Sequence, residues 1–138
     1  MEVDRGGKNK VKSAVLDTNV LIYVFTQKVD ILDQLRELGF KKFLIPDKVF
    51  EELKNLSISL TGKEKRAAKL AIKLIESCKD CEIVESNAVG TDDALLQVAK
   101  KFKATLITND KNLRRRANEE GVETGYLREM KFVEIEEI

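Results

Sequence analysis

Val15-Leu16-Asp17-Thr18-Asn19 is the stretch on which the fold reading turns. The apolar run Ser13 to Leu16 stops abruptly at a carboxylate, a hydroxyl and an amide. A short apolar run bounded by polar residues reads as a buried strand. Its polar end then lies at the carboxyl edge of a sheet, which is where open α/β sheets bind ligands. A second run, Thr105-Leu106-Ile107-Thr108, ends the same way in Asn109-Asp110. Two strands thus bring a carboxylate to one edge.

Outward from these two strands, apolar runs and helical periodicity alternate. Val20 to Phe25 follows the first strand as a short buried helix. Asp30 or a neighbour opens the next helix, whose apolar residues Ile31, Leu32, Leu35 and Leu38 recur at helical spacing until Gly39 stops it. Phe43-Leu44-Ile45 is a strand ended by Pro46, with Asp47 as the cap of a helix through Val49, Phe50, Leu53 and Leu56. Thr61 and Glu64 form a capping box for a long helix to about Ser77. Glu82-Ile83-Val84 is a strand, and Thr91 caps a helix to Phe102. A helix from Leu113 to about Glu120 and two short runs, Thr124–Leu127 and Phe132–Ile135, complete the chain. This alternation predicts an α/β fold with three layers and a central, mostly parallel sheet of about five strands. Residues 13–138 form one domain, and Met1 to Lys12 is a polar, flexible arm.

The composition narrows the chemistry. With 138 residues and 43% hydrophobic content, the chain supports one real core. There is no histidine, which excludes Ser-His-Asp and Cys-His catalysis and His-ligated metals. The formal net charge of +1 favours no polyanionic partner in bulk, so an anion-binding surface must come from local clustering. No apolar stretch reaches the roughly 20 residues of a membrane span, and no secretory h-region is present; a cytoplasmic, non-membrane protein is expected. The Cys78-Lys79-Asp80-Cys81 pair lacks the partners of a zinc site and reads as ordinary half-buried thiols.

Position separates site acids from surface acids. Helical rotation of about 100° per residue sets Glu52 on the flank of the Val49, Leu53, Leu56 stripe and Glu51 nearly opposite it. By the same geometry Asp92 edges the apolar face of its helix, whereas Asp93 points away, although its first-turn position leaves it a candidate. Asp17, Glu52, Asp92 and Asp110 therefore converge. Such a cluster either protonates or holds a cation, and oxygen donors alone select Mg²⁺ or Mn²⁺. Lys111, Arg114, Arg115 and Arg116 follow Asp110 directly and are placed to contact phosphates.

Asp17-Thr18-Asn19, Glu52-Leu53 after Ile45-Pro46, Asp92-Asp93-Ala94-Leu95-Leu96 and Leu106-Ile107-Thr108-Asn109-Asp110, in this order, resemble a PIN domain. Gly125-Tyr126-Leu127-Arg128 with Lys131-Phe132 is similar to the subgroup related to small-subunit ribosomal RNA processing factors. The resemblance implies a Mg²⁺- or Mn²⁺-dependent endoribonuclease of VapC-like toxin or rRNA-processing type. It also implies an acidic pocket of Asp17, Glu52, Asp92 and Asp110, supported by Asn19 and Thr108. The metal would be held by Asp17, Asp92 and Asp110, with Asp93 an alternative ligand, while Glu52 ligates or accepts a proton. Lys111, Arg114 and Arg115 are the expected RNA contacts. RNA and a cognate antitoxin or a ribosome precursor are the expected partners. A homodimer is expected through an exposed Val20–Phe25 segment or the Leu60–Leu74 helix. Two other classes stand against this reading: a catalytically silent RNA- or protein-binding PIN domain, and a phospho-receiver module, which needs an acidic pair where Asp17 stands alone.

Overall fold

A computed structural model describes residues 11–59 and 62–136. The expected arm falls mostly outside them, as do Leu60 and the capping hydroxyl of Thr61. The element order is β1 (Ser13–Leu16), α1 (Thr18–Thr26), α2 (Ile31–Glu37), β2 (Lys42–Pro46), α3 (Asp47–Ser57), α4 (Gly62–Ser77), β3 (Cys81–Val84), α5 (Thr91–Phe102), β4 (Thr105–Ile107), α6 (Lys111–Glu119), β5 (Thr124–Arg128) and β6 (Phe132–Glu136). The strands form one sheet in the order β3-β2-β1-β4-β5-β6. All neighbours are parallel except β6, which runs antiparallel to β5. The sheet has six strands where about five were expected, because both closing runs pair as a hairpin.

The interior strands β1, β2 and β4 are almost wholly buried, as a parallel sheet covered on both faces requires. Phe43, Leu44, Ile45, Leu106 and Ile107 lie at the core with Leu21, Leu35, Leu53 and Leu95 from the helices. The edge strand β3 is poorly covered, with Ile83 exposed. The chain runs outward from β1 through β2 to β3, then returns to the other side of β1 as β4. The point where its direction reverses lies between β1 and β4. Both strand-end carboxylates, Asp17 and Asp110, flank that point.

Several helix ends differ from expectation. Asp30 caps α2, accepting from the Asp33 amide at 3.2 Å. Pro46 rather than Asp47 occupies the cap position of α3, and Gly90 rather than Thr91 that of α5. Asp47 is engaged elsewhere: its carboxylate accepts from the Ser86 amide and hydroxyl at 3.2 and 2.9 Å, tying α3 to the segment after β3. Gly39, at φ 98°, closes α2 with paired bonds from its own amide to the Arg36 carbonyl and from Phe40 to Leu35. In α1, Val20, Leu21 and Ile22 are buried and Tyr23 to Phe25 pack against the core, so this segment is not the exposed dimer surface expected. Cys78 and Cys81 are free and half-buried; burial, followed by the neighbouring Cys78 thiol, pushes the Cys81 thiol up. Among the described residues no helix is long and apolar enough to cross a membrane.

Gly125 in β5 is the tightest backbone position. A Cβ there would lie 2.7 Å from Ile135 Cδ1 and 3.0 Å from both the Glu134 carbonyl oxygen and Ile107 Cδ1. Gly125→Ala is therefore expected to lower unfolding free energy by about 1–3 kcal/mol through overpacking. Gly62→Ala, where a Cβ meets nothing within 4 Å, should stay within about 0.5 kcal/mol of wild type. Urea denaturation of both variants checks the contrast.

Candidate active site

The β1–β4 register builds the centre of the site. Leu16 pairs with Ile107, so the next residue of each strand, Asp17 and Thr108, stand side by side. The Asp17 amide continues the ladder by donating to the Ile107 carbonyl at 3.1 Å, and Thr108 donates likewise to Gly125 at 2.9 Å. With both backbones fixed, the fully buried Thr108 hydroxyl donates to Asp17 Oδ2 at 2.6 Å. It also accepts from the Asp110 amide at 3.1 Å. One hydroxyl thus links the carboxylate of β1 to the start of α6. Asp17 Oδ1 accepts from the Thr18 amide at 2.6 Å, and Asp110 Oδ1 caps α6 by accepting from the Leu113 amide at 3.1 Å.

Glu52 joins through a residue that the sequence left unassigned. Thr18, 4% exposed, donates its hydroxyl to Glu52 Oε1 at 2.6 Å. Asn19, the expected support, is exposed on α1 and makes no hydrogen bond to the acids. The role falls to Thr18 because Asn19 lies one helical step, about 100°, further round α1.

Asp92 completes the group from the first turn of α5. Burial holds the Asp92 carboxyl above its usual range; the Asp110 charge adds to this, Arg116 opposes it, and Asp93 and Glu52 add further. Burial also raises Asp17, opposed by the Thr108 and Thr18 hydrogen bonds and reinforced by the charges of Asp92 and Glu52. Asp17 therefore lies in the field of Asp92 and Glu52, and Asp92 in that of Asp110 and Glu52. Asp93 is drawn off: Arg116 Nη2 holds it at 2.6 Å, on the exposed face shared with α6. That contact argues against Asp93 as the alternative ligand.

The basic run after Asp110 divides by helical phase. Arg114 is 9% exposed; its Nη1 donates to the Thr108 carbonyl at 2.9 Å, its Nε lies 3.3 Å from Glu136, and its guanidinium stacks 4.5 Å from the Tyr126 ring centre. The expected RNA contact by Arg114 is corrected accordingly, since its donors bolt the β4–α6 turn to the sheet. Lys111 and Arg115 are exposed and, with Arg114, Asn118, Glu119 and Glu136, line a shallow cavity of about 470 Å³ along α6. Asn109, also unassigned in the sequence, joins the turn to β5 through the Leu127 amide and carbonyl at 2.7 and 3.1 Å.

The donors are all oxygens, and two carboxyls, Asp17 and Asp92, are raised by burial and further by their neighbours' charge. That chemistry fits a hard divalent cation. Among the described residues no three metal-binding side chains are already gathered at ligating separation. The arrangement suits an ion that keeps much of its water and takes one or two carboxylates directly, as Mg²⁺ does.

Comparison with known proteins agrees with this architecture. Residues 14–130 match a family model described as a PIN-like domain. The chain is 51% identical over 136 residues to Ribonuclease VapC9 of Archaeoglobus fulgidus, covering 99% of this chain and 98% of that protein. It is 36% identical over 126 residues to Ribonuclease VapC4 of Methanocaldococcus jannaschii, covering 88% and 94%. Among solved structures, the PIN domain endonuclease Utp24 superposes with a TM-score of 0.73 at 23% identity, covering 91% of this chain and 92% of that one. A domain of a functionally unknown Methanocaldococcus jannaschii protein gives 0.58 at 21% identity, covering 93% and 95%.

The two arginines make opposite demands on experiment. Arg114→Ala is expected to cost about 1–3 kcal/mol of stability by orphaning the Thr108 carbonyl and Glu136. Arg115→Ala should leave stability within about 0.5 kcal/mol while weakening RNA binding. Thermal or urea melts of the pair, read beside RNA affinity, check the assignment.

Proposed function

The chain belongs to the PIN-like domain family, and from that membership we infer that it is a divalent-metal-dependent endoribonuclease of toxin type. The observation that carries the reading is the pair of threonine links at the reversal point of the sheet: Thr108 joins Asp17 to the Asp110 amide and Thr18 holds Glu52, with Asp92 in the field of Asp110 and Glu52. Relatives named as VapC ribonucleases over nearly the whole chain support it. They also support an RNA substrate and a cognate antitoxin as partner.

Asp17 and Asp110 are the residues that would hold a Mg²⁺ or Mn²⁺ ion, with Asp92 bonding directly or through water. Once bound, the ion would offset the carboxylate charges and the negative charge that builds on the phosphate during hydrolysis. Thr108 keeps Asp17 aimed at the site, and its bond to the Asp110 amide sets the spacing of the two acids. Thr18 fixes one oxygen of Glu52, leaving the other free to accept a proton from the water that attacks phosphorus. Lys111 and Arg115, exposed on α6 after Asp110, would bind phosphates of the substrate strand.

Asp17→Asn keeps the shape and one acceptor oxygen, for the Thr108 hydroxyl, but removes the charge and the acceptor for the Thr18 amide. It is expected to reduce RNA cleavage at saturating Mn²⁺ by about 10²-fold or more, with melting behaviour unchanged. Chelation should abolish wild-type cleavage, and added Mn²⁺ should restore it. Full cleavage by Asp17→Asn would overturn the assignment.

A further inference from the structure

At the opposite edge of the sheet, where β1 and β2 begin and α5 ends, lies a concavity of about 720 Å³. Among the described residues its walls carry Lys12, Lys42, Lys101 and Lys103, together with Val11, Ser13 and Phe102, and no carboxylate. Val11 is 54% exposed and Phe102 42%. Two of the lysines are committed: Lys12 donates to the Leu38 carbonyl at 3.1 Å, and Lys42 pairs with Glu82 at 3.0 Å. Lys101 and Lys103 have no carboxylate partner among the described residues, whereas neighbouring Lys100 pairs with Glu120. Lys103 stands at φ 53° in the left-handed region, ending α5 where glycine is the unstrained choice. Lys101 Nζ lies 5.7 Å from the centre of the Phe102 ring, so a cation and an aromatic ring stand together here, a pairing that suits a strand offering both phosphates and bases.

We propose that this concavity is a second RNA-contact surface, taking a single-stranded segment of the substrate away from the cleaved bond. The ribonuclease reading supplies the identity of the occupant; the charge supplies its sign. Lys101 and Lys103 contact phosphates, and Phe102 offers a face to a base. α5 links this surface to Asp92, and its 12 residues span about 18 Å. At a stacked spacing of about 3.4 Å, roughly five nucleotides cover that distance, so only longer RNAs reach both places.

The test uses the full chain carrying Asp17→Asn, so that binding is read without cleavage. Lys101→Gln and Lys103→Gly are added together; glycine suits the left-handed position, which protects the fold, and a thermal melt confirms it. Affinity is measured against salt for an RNA of about 20 nucleotides and one of about four. For the long RNA the slope of log K against log salt is expected to become shallower by about 1.4, two contacts at about 0.7 each, with binding on the order of tenfold weaker at 0.1 M salt. The short RNA should be unaffected. Lys69→Gln with Lys73→Gln on α4, an equal loss of charge, should leave both slopes unchanged.

An unchanged slope in the Lys101/Lys103 variant, or an equal loss in the α4 control, overturns the proposal. So does a change of oligomeric state by gel filtration with no change of slope, which would mean that a second copy occupies the surface. Failure of the wild type to cleave RNA that it binds would overturn the nuclease reading alone, because the salt slopes are read without catalysis.

Discussion

A single hydroxyl hydrogen bond, Thr108 to Asp17, is the constraint on which the candidate site rests. It joins the ends of two interior strands, in a place where a carboxylate has lost much of its water. A carboxylate so placed needs compensation, because burying unpaired charge is costly. The Thr108 hydroxyl and the Thr18 amide supply part of it, and the like charges of Asp92 and Glu52 take some of it back. The remaining deficit favours a cation. The parallel register of β1 and β4 produces this state without any special loop: once Leu16 faces Ile107, Asp17 must face Thr108.

The surrounding charges are sorted by partner rather than by number. Asp93 and Glu120 are held by Arg116, and Glu120 also pairs with Lys100, giving a charged ladder between α5 and α6. Exposed pairs of this kind add little to stability. Their effect is to occupy Asp93, the acid beside Asp92, and to tie α5 to α6 along their length. Among the described residues no salt bridge reaches Asp17, Glu52, Asp92 or Asp110. Arg114, sequestered on Glu136 and Tyr126, is likewise unable to swing over and neutralise the pocket.

Much of this was legible in the residues. Apolar runs ending in carboxylates marked β1 and β4, and helical phase preferred Glu52 to Glu51 and Asp92 to Asp93. What escaped depended on contacts between distant segments. Thr18 looked like filler between Asp17 and Asn19, since its partner lies 34 residues on and nothing local announces it. Arg114 was indistinguishable from Arg115 within a run of three arginines until Glu136 of β6 and Tyr126 of β5 closed around it. Asp47 has the chemistry of a helix cap, yet Ser86 recruits it from another element and leaves Pro46 in the cap position.

The near-zero net charge conceals a division along α5. Its first turn carries Asp92 and Asp93, its last Lys100 and Lys101. Each group complements the helix dipole, so helix stability alone explains why acids precede bases on that element. It does not explain why Lys12 and Lys42, which belong to the segments that open β1 and β2, bring two further ammonium groups to the same end. Nor does it explain Lys103, where a side chain accepts a left-handed backbone that glycine would adopt without strain. Three segments bring lysines to one edge of the sheet, and two of them, β1 and α5, carry an acid, Asp17 and Asp92, at their other end. The dipole of a single helix cannot select residues on strands that it merely packs against: Lys12 and Lys42 are held by partners of their own, the Leu38 carbonyl and Glu82, so each segment brings its charge to this edge by a separate contact.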